Sequence, residues 1–189
     1  LEAERPNLKG LLLTHAHEDH FGAVVDLWPR LGGVPVYATS FTASMLKSKL
    51  GQAGLLHDFP LHVIPLGHRY KIGPFDVELI TMSHSIPEPS AVMIKTELGT
   101  ALHTGDWKLD EAPLTSPATD AARLKALGEE GVTAMICDST NAVREGVSAS
   151  EADVAVVLER LIAEAPKRVA VTSFASNVAR IRSVANAAR

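Results

Sequence analysis

Residues 14–20 read Thr-His-Ala-His-Glu-Asp-His and follow the apolar run Leu11-Leu12-Leu13. Such a run predicts a buried strand, and polar side chains gathered at a strand's end need partners. His15 and His17 alternate, so in an extended turn both rings reach one metal ion. Asp19 and His20 open the next helix and face a second ion nearby. Imidazole and carboxylate donors suit zinc at about 2.0–2.2 Å, with manganese an alternative. Two later segments end strands in the same way: Thr81-Met82-Ser83-His84-Ser85-Ile86-Pro87-Glu88 and His103-Thr104-Gly105-Asp106-Trp107-Lys108. His84 can complete the site of His15 and His17. Asp106 has two oxygens and can bridge two ions about 3.5–4 Å apart. Gly105 lets the chain turn tightly before that carboxylate. The chemistry of such a centre is hydrolysis, with water made acidic and developing charge offset by metal.

The other histidines carry no such pattern. His57, His62 and His68 lie in or beside loops and read as solvated or packing residues. His103 reads as a supporting or packing neighbour of Asp106, and Glu18 as a solvated or supporting carboxylate.

The elements that must position these residues follow from periodicity and punctuation. Lys9–Thr14 is the first strand, and a helix runs from about Asp19 to Leu31, closed by Gly32-Gly33. Pro35–Ala38 is a short strand. Thr39-Ser40 offers an N-cap for a helix to Leu50, and Gln52–Pro60 is a connection. Leu61–Leu66, Arg69–Ile72 and Phe75–Met82 are strands, and Ala91–Thr96 with Thr100–Thr104 forms a hairpin. After the loop Lys108–Thr119 come a helix over Asp120–Leu127 and a buried strand over Val132–Cys137. Next is an amphipathic helix over Ser148–Ala165, with Ser148 and Glu151 at capping-box spacing. A strand over Arg168–Thr172 and a helix over Ser176–Ala188 complete the chain. Ser176 and Asn177 start that last helix, where N-capping and phosphate binding by backbone N–H groups are equally good readings. The first 110 residues are strand-rich and the rest alternates strand and helix, which places a boundary near Asp138.

The 189 residues are 46% hydrophobic, enough for a full domain or one and part of another. The net charge of −4, from 18 basic and 22 acidic residues, argues against a general nucleic-acid coat but allows a local basic groove. No apolar run approaches the ~20 residues that span a bilayer. The single cysteine, Cys137, sits in an apolar run; it reads as a buried thiol in a reducing compartment, which places the protein in the cytoplasm.

Together, the stretches 14–20, 83–88 (Ser-His-Ser-Ile-Pro-Glu), 103–108 (His-Thr-Gly-Asp-Trp-Lys), 138–142 (Asp-Ser-Thr-Asn-Ala) and 173–177 (Ser-Phe-Ala-Ser-Asn) resemble the ribonuclease J family, in the β-CASP branch of the metallo-β-lactamase superfamily. Trp107 stands where that family would lead one to expect Phe. The resemblance implies an α/β architecture, an αββα sandwich of the metallo-β-lactamase fold. Residues 1–138 would form part of that domain, and residues 139–189 the beginning of an inserted β-CASP domain. It implies two zinc ions, one held by His15, His17 and His84, the other by Asp19 and His20, with Asp106 bridging. Asp19, Asp106 and Asp138 would serve catalysis, Asp138 as the acidic residue of the first β-CASP motif. It further implies hydrolysis of RNA from a 5′-monophosphorylated end, with some endonuclease activity, in a homodimer or tetramer without membrane contact. In the family the chain returns from the insertion to finish the first domain. On that pattern these residues are part of a larger protein, and a further ligand of the second metal comes from later in the chain. The rival readings are a two-metal hydrolase of the same fold acting on a thioester, lactone or β-lactam, and a catalytically silent RNA-binding piece.

Overall fold

Alternation along the strands sorts their apolar side chains onto opposite faces, and this sorting sets the layers. In the computed structural model, which describes residues 2–57 and 59–189, β1 (Leu11–Leu12), β2 (Val36–Ala38) and β3 (Leu61–Val63) form a parallel sheet. A second sheet has the order β4 (Arg69–Ile72), β5 (Phe75–Thr81), β6 (Ser90–Thr96), β7 (Gly99–His103) and β8 (Ala134–Ile136). Its first three pairings are antiparallel and β7–β8 is parallel. The parallel pairs need crossovers. Two short helices, α1 (Glu18–Phe21) and α2 (Val24–Leu27), lie on the first crossover, and α3 (Ser40–Gln52) on the second. α4 (Ala121–Glu130) precedes β8, and α5 (Glu151–Ala163) and α6 (Val178–Ala187) follow it.

Three apolar clusters give the layering. Leu13, Val36 and Ala38 face Phe21, Val24, Ala43, Leu46 and Leu50 of the helices. On their other face, Leu12 and Tyr37 meet Ile72, Val77, Leu79 and Val92 of the second sheet. The far side of that sheet, with Ile80, Ala91 and Met93, packs on Leu124 and Leu127 of α4. Helix, sheet, sheet, helix is the αββα sandwich expected from the sequence. No helix among the described residues is long and apolar enough to cross a membrane.

Several expectations need correction. The helix over 19–31 is broken into α1, α2 and a 3-10 turn over Trp28–Leu31, with Pro29 near the start of that turn and Gly32 at φ +80° closing it. The 3-10 segment Glu2–Asn7 was not anticipated. Arg168–Thr172 pairs with no strand among the described residues, and Val169 and Val171 stay exposed; β-branched composition makes a strand only where a ladder partner exists. Among the described residues β8 is paired on one side only, so Met135 and Ile136 are exposed and Cys137 is an exposed thiol, not a buried one. The cap of α5 sits two residues later than expected. Ser150 Oγ accepts from the Ala152 N–H (3.1 Å), and Asp153 accepts from the Ser150 N–H (3.2 Å). Leu1 lies outside the described residues, as does Asp58 within the expected Gln52–Pro60 connection.

The start of α3 holds a long-range contact that bears on the site. The Thr39 side chain does not cap it. Instead Glu88, at the far end of the loop that follows β5, accepts from the Phe41 N–H at 2.8 Å. A carboxylate there also meets the positive end of the helix. Glu88 has φ +54°, in the left-handed region that disfavours a side chain. Replacing Glu88 by Ala removes the cap and keeps the strained φ, so stability should fall by about 1–2 kcal/mol. Glu88→Gly, which suits that φ, should lose less. Urea denaturation measures both, and equal losses would separate the cap from the strain argument.

Candidate metal centre

β1 ends at Leu12, and the chain continues extended, with the Leu13 N–H on the Tyr37 carbonyl at 2.9 Å. The Thr14 carbonyl accepts from both the N–H and the hydroxyl of Ser90, at 3.1 and 2.9 Å, and so ties the two sheets together beside the site. His15 follows with no exposed surface. The next turn delivers His17, then α1 presents Asp19 and His20. β5 ends just before His84, and the loop from there to Glu88 is anchored by buried Ile86 and the α3 cap. Gly105, at φ +57°, turns the chain after β7; a Cβ there would stand 2.8 Å from the Ser90 carbonyl oxygen. That turn presents Asp106.

These elements bring every expected metal ligand into two adjoining groups. His15, His17, His84 and Asp106 form one, and Asp19, His20 and Asp106 the other, the donor atoms of each lying within 4.8 Å of one another. His17 Nδ1 is 3.1 Å from His15 Nε2 and 3.0 Å from His84 Nε2. Asp106 divides its oxygens. Oδ2 lies 3.9 Å from His15 Nε2 and 3.6 Å from His84 Nε2, while Oδ1 lies 3.2 Å from His20 Nε2. Asp19 Oδ2 is 3.5 Å from His20 Nε2.

This donor set fits a divalent metal. A ring nitrogen shares at most one hydrogen with another, so His17 Nδ1 cannot be hydrogen-bonded to both neighbours. Tetrahedral donors on zinc at about 2.0–2.1 Å stand roughly 3.4 Å apart, close to the spacing of these nitrogens. Three imidazoles and a carboxylate supply four donors in the first group, and three donors from the described residues make the second. Protonation agrees. Burial, with the charges of the His20, His17 and His84 rings, pushes the His15 pKa down to about 2. Burial and then His17 push His84 down to about 4. Burial also lowers His17, against the pull of Asp19 and Asp106. Neutral imidazole is the ligating form.

The opposite ring nitrogens are held by groups that sequence reading had not singled out. Thr14 Oγ1 lies 3.0 Å from His15 Nδ1, and Ser85 Oγ 3.4 Å from His17 Nε2. Such contacts fix ring orientation and tautomer at metal sites. The only sequence signal was a hydroxyl beside each histidine segment.

Asp138 belongs to neither donor group. It stands on the wall of a cleft of about 660 Å³ that also takes in His84, Asp106, Trp107, Ser139–Ala142 and Gly146–Ser148. Its Oδ1 accepts from the Thr140 N–H (2.9 Å) and hydroxyl (2.7 Å), and these bonds hold its pKa below the ordinary carboxylate value. The Trp107 indole N–H donates to its carbonyl at 3.3 Å. His62 stacks on Tyr37, His68 Nδ1 lies 3.0 Å from the Leu66 carbonyl, and His103 lies on β7 opposite Val92. None of these joins the donor groups. Glu18 is an exposed ion-pair partner of Lys49 at 2.5 Å.

The Metallo-beta-lactamase superfamily profile matches residues 1–131, and those residues carry all the donors described above. The chain belongs to the metallo-beta-lactamase superfamily. Within it, the chain is 54% identical over 188 residues to "Ribonuclease J" of Sinorhizobium meliloti, covering all of this chain and 33% of that protein. It is 43% identical over 186 residues to "Ribonuclease J" of Thermus thermophilus, covering 95% of this chain and 32% of that one. The chain thus spans about a third of the length of these curated relatives. A crystal structure of a protein of unknown function from Enterococcus faecalis V583 shares the superfamily fold, with a TM-score of 0.64 at 20% identity over 94% of this chain and 44% of that one.

The downward shifts give the metal-free chain a pH dependence. On unfolding, His15 and His84 return to the ordinary value near 6.5 and bind protons that the folded state refuses. Stability should therefore fall as pH drops below about 6.5, and His84 should contribute down to about 4. Denaturant midpoints measured between those limits on metal-free protein test this. His84→Asn should flatten the dependence, and a midpoint that rises toward acid would contradict it.

Proposed function

We propose that the protein containing this chain is a metal-dependent ribonuclease. What carries the reading is the two adjoining donor groups sharing Asp106, set at the foot of a cleft, in a chain whose curated relatives are named for RNA cleavage. Its finer terms are zinc with manganese as alternative, attack from a 5′-monophosphorylated end with some endonuclease action, cytoplasmic location, and assembly as a homodimer or tetramer. Residues 139–189 begin a second, β-CASP domain in this proposal.

The chain's own residues divide the work. His15, His17 and His84 would hold one ion through neutral nitrogens, Asp19 and His20 would hold the other, and Asp106 would serve both. Divalent metal bound there supplies Lewis acidity, lowering the pKa of water and offsetting charge on the phosphoryl oxygens. Thr14 and Ser85 keep the rings oriented. Asp138 is ionised and held by Thr140 on the wall of the cleft, near His84, where its carboxylate can receive or return a proton. The cleft volume of about 660 Å³ falls in the range of small-molecule sites and admits a nucleotide.

The test uses the full-length protein with zinc or manganese and a 3′-labelled, 5′-monophosphorylated RNA. Mononucleotide release is expected. His17→Ala and Asp106→Ala should lower the rate by about a thousandfold or more, as befits loss of several kcal/mol of charge stabilisation. Both should also bind less metal by elemental analysis. Full activity in either variant would overturn the site assignment, and no cleavage by the unmodified protein would overturn the ribonuclease reading.

A further inference from the structure

Among the described residues, the three apolar clusters draw nothing from beyond Val132. α5 and α6 are nevertheless joined to the body that carries the metal centre, and the joint is made of charge. The Asp110 side chain is 2% exposed. Its Oδ1 accepts from the Ser150 hydroxyl at 2.8 Å and the Ala112 N–H at 2.9 Å. Its Oδ2 accepts from the Glu151 N–H at 2.9 Å and faces Lys108 Nζ at 3.3 Å. Glu151, itself buried, lies 3.7 Å from Lys108 Nζ and 3.3 Å from Arg180 on α6. Burial alone would raise the Asp110 pKa, but the bonds from Glu151, Ser150 and Ala112, with Lys108, hold it below its ordinary value.

Two positive and two negative groups thus cancel inside the joint. Such a cluster adds little net stability, and removing one member is costly because it leaves the others buried and unpaired. Its best-attested use is to select one arrangement over others. Here the arrangement concerns the site. On the near side, the Asp110 N–H donates to Ser83 Oγ (3.2 Å), and the Lys108 N–H donates to the Ser83 carbonyl (2.9 Å). Ser83 directly precedes His84, and Lys108 lies two residues beyond Asp106. On the far side, α5 follows residues 139–142 and 146–148, which with Asp138 line the cleft.

We propose that Asp110 is a positioning residue for the cleft: through Lys108 and Ser83 on one side and the start of α5 on the other, it fixes the wall bearing Asp138 against the ligands His84 and Asp106. The kinetic part of this inference rests on the ribonuclease reading; the exchange part below does not. In the full-length protein, Asp110→Ala should speed hydrogen–deuterium exchange at the Glu151 and Ala112 amides. It should leave bound metal per chain unchanged and raise KM for RNA by about tenfold, more than it lowers kcat, as a misplaced wall would. Asp110→Asn keeps an acceptor and should recover part of the KM. If Asp110→Ala does not fold, Arg180→Met breaks the outer ion pair alone and should raise KM in the same direction. Wild-type exchange and KM in a folded variant would overturn the proposal, and so would loss of metal with unchanged KM. If the unmodified protein cleaves no RNA, the ribonuclease reading fails, and the exchange result alone decides the joint.

Discussion

One ring nitrogen, His17 Nδ1, is pressed against two others at 3.0 and 3.1 Å, and no placement of hydrogens satisfies all three. Much of the first 110 residues can be understood as the means of imposing that arrangement. Strand ends from both sheets converge on it, since His15 follows β1, His84 follows β5 and Asp106 follows β7. The Ser90–Thr14 bonds lock the sheets together at that spot. Burial then keeps the rings neutral, which prepares lone pairs and raises the energy of protonated alternatives. A metal ion relieves what the fold has assembled.

The donors were legible before any coordinates because chemistry fixed their residue types and strand ends fixed their places. His15, His17, Asp19, His20, His84 and Asp106 all arrive where the sequence puts them. The strands were also legible, Leu11 to Leu13 as an apolar run and Ala91 to Thr96 by alternation, while the sandwich they build was implied by the resemblance. What failed did so where an outcome depends on a distant partner. Cys137 and Ile136 look buried in sequence, yet among the described residues β8 has a neighbour on one side only. Val169 and Val171 look like strand residues, yet no ladder among the described residues meets them. The cap of α3 comes from Glu88, 47 residues away, and no local pattern announces it. The α5 cap slipped by two residues because Asp110 claims the Glu151 N–H that local spacing had assigned otherwise.

The two halves of the chain are also held by different forces. Residues up to Val132 share three apolar clusters. Beyond them, α5 and α6 pack on each other through Ala179 and Ser183 and on the body through ionised side chains. Apolar packing is broad and tolerant of small shifts, whereas hydrogen-bonded ion pairs work over tenths of an ångström. The cleft takes in residues from both sides of this change, His84 and Asp106 from one and Gly146–Ser148 from the other.

Asp106 offers one oxygen to each donor group. The occupancies of the two groups are therefore thermodynamically linked. An ion held by the first group would fix the Asp106 carboxylate and draw on its electron density, while sparing a second ion part of the ordering cost. Whatever the balance of those effects, each ion must alter the other's affinity by the same factor. Loading the centre is then a two-step equilibrium with one shared parameter.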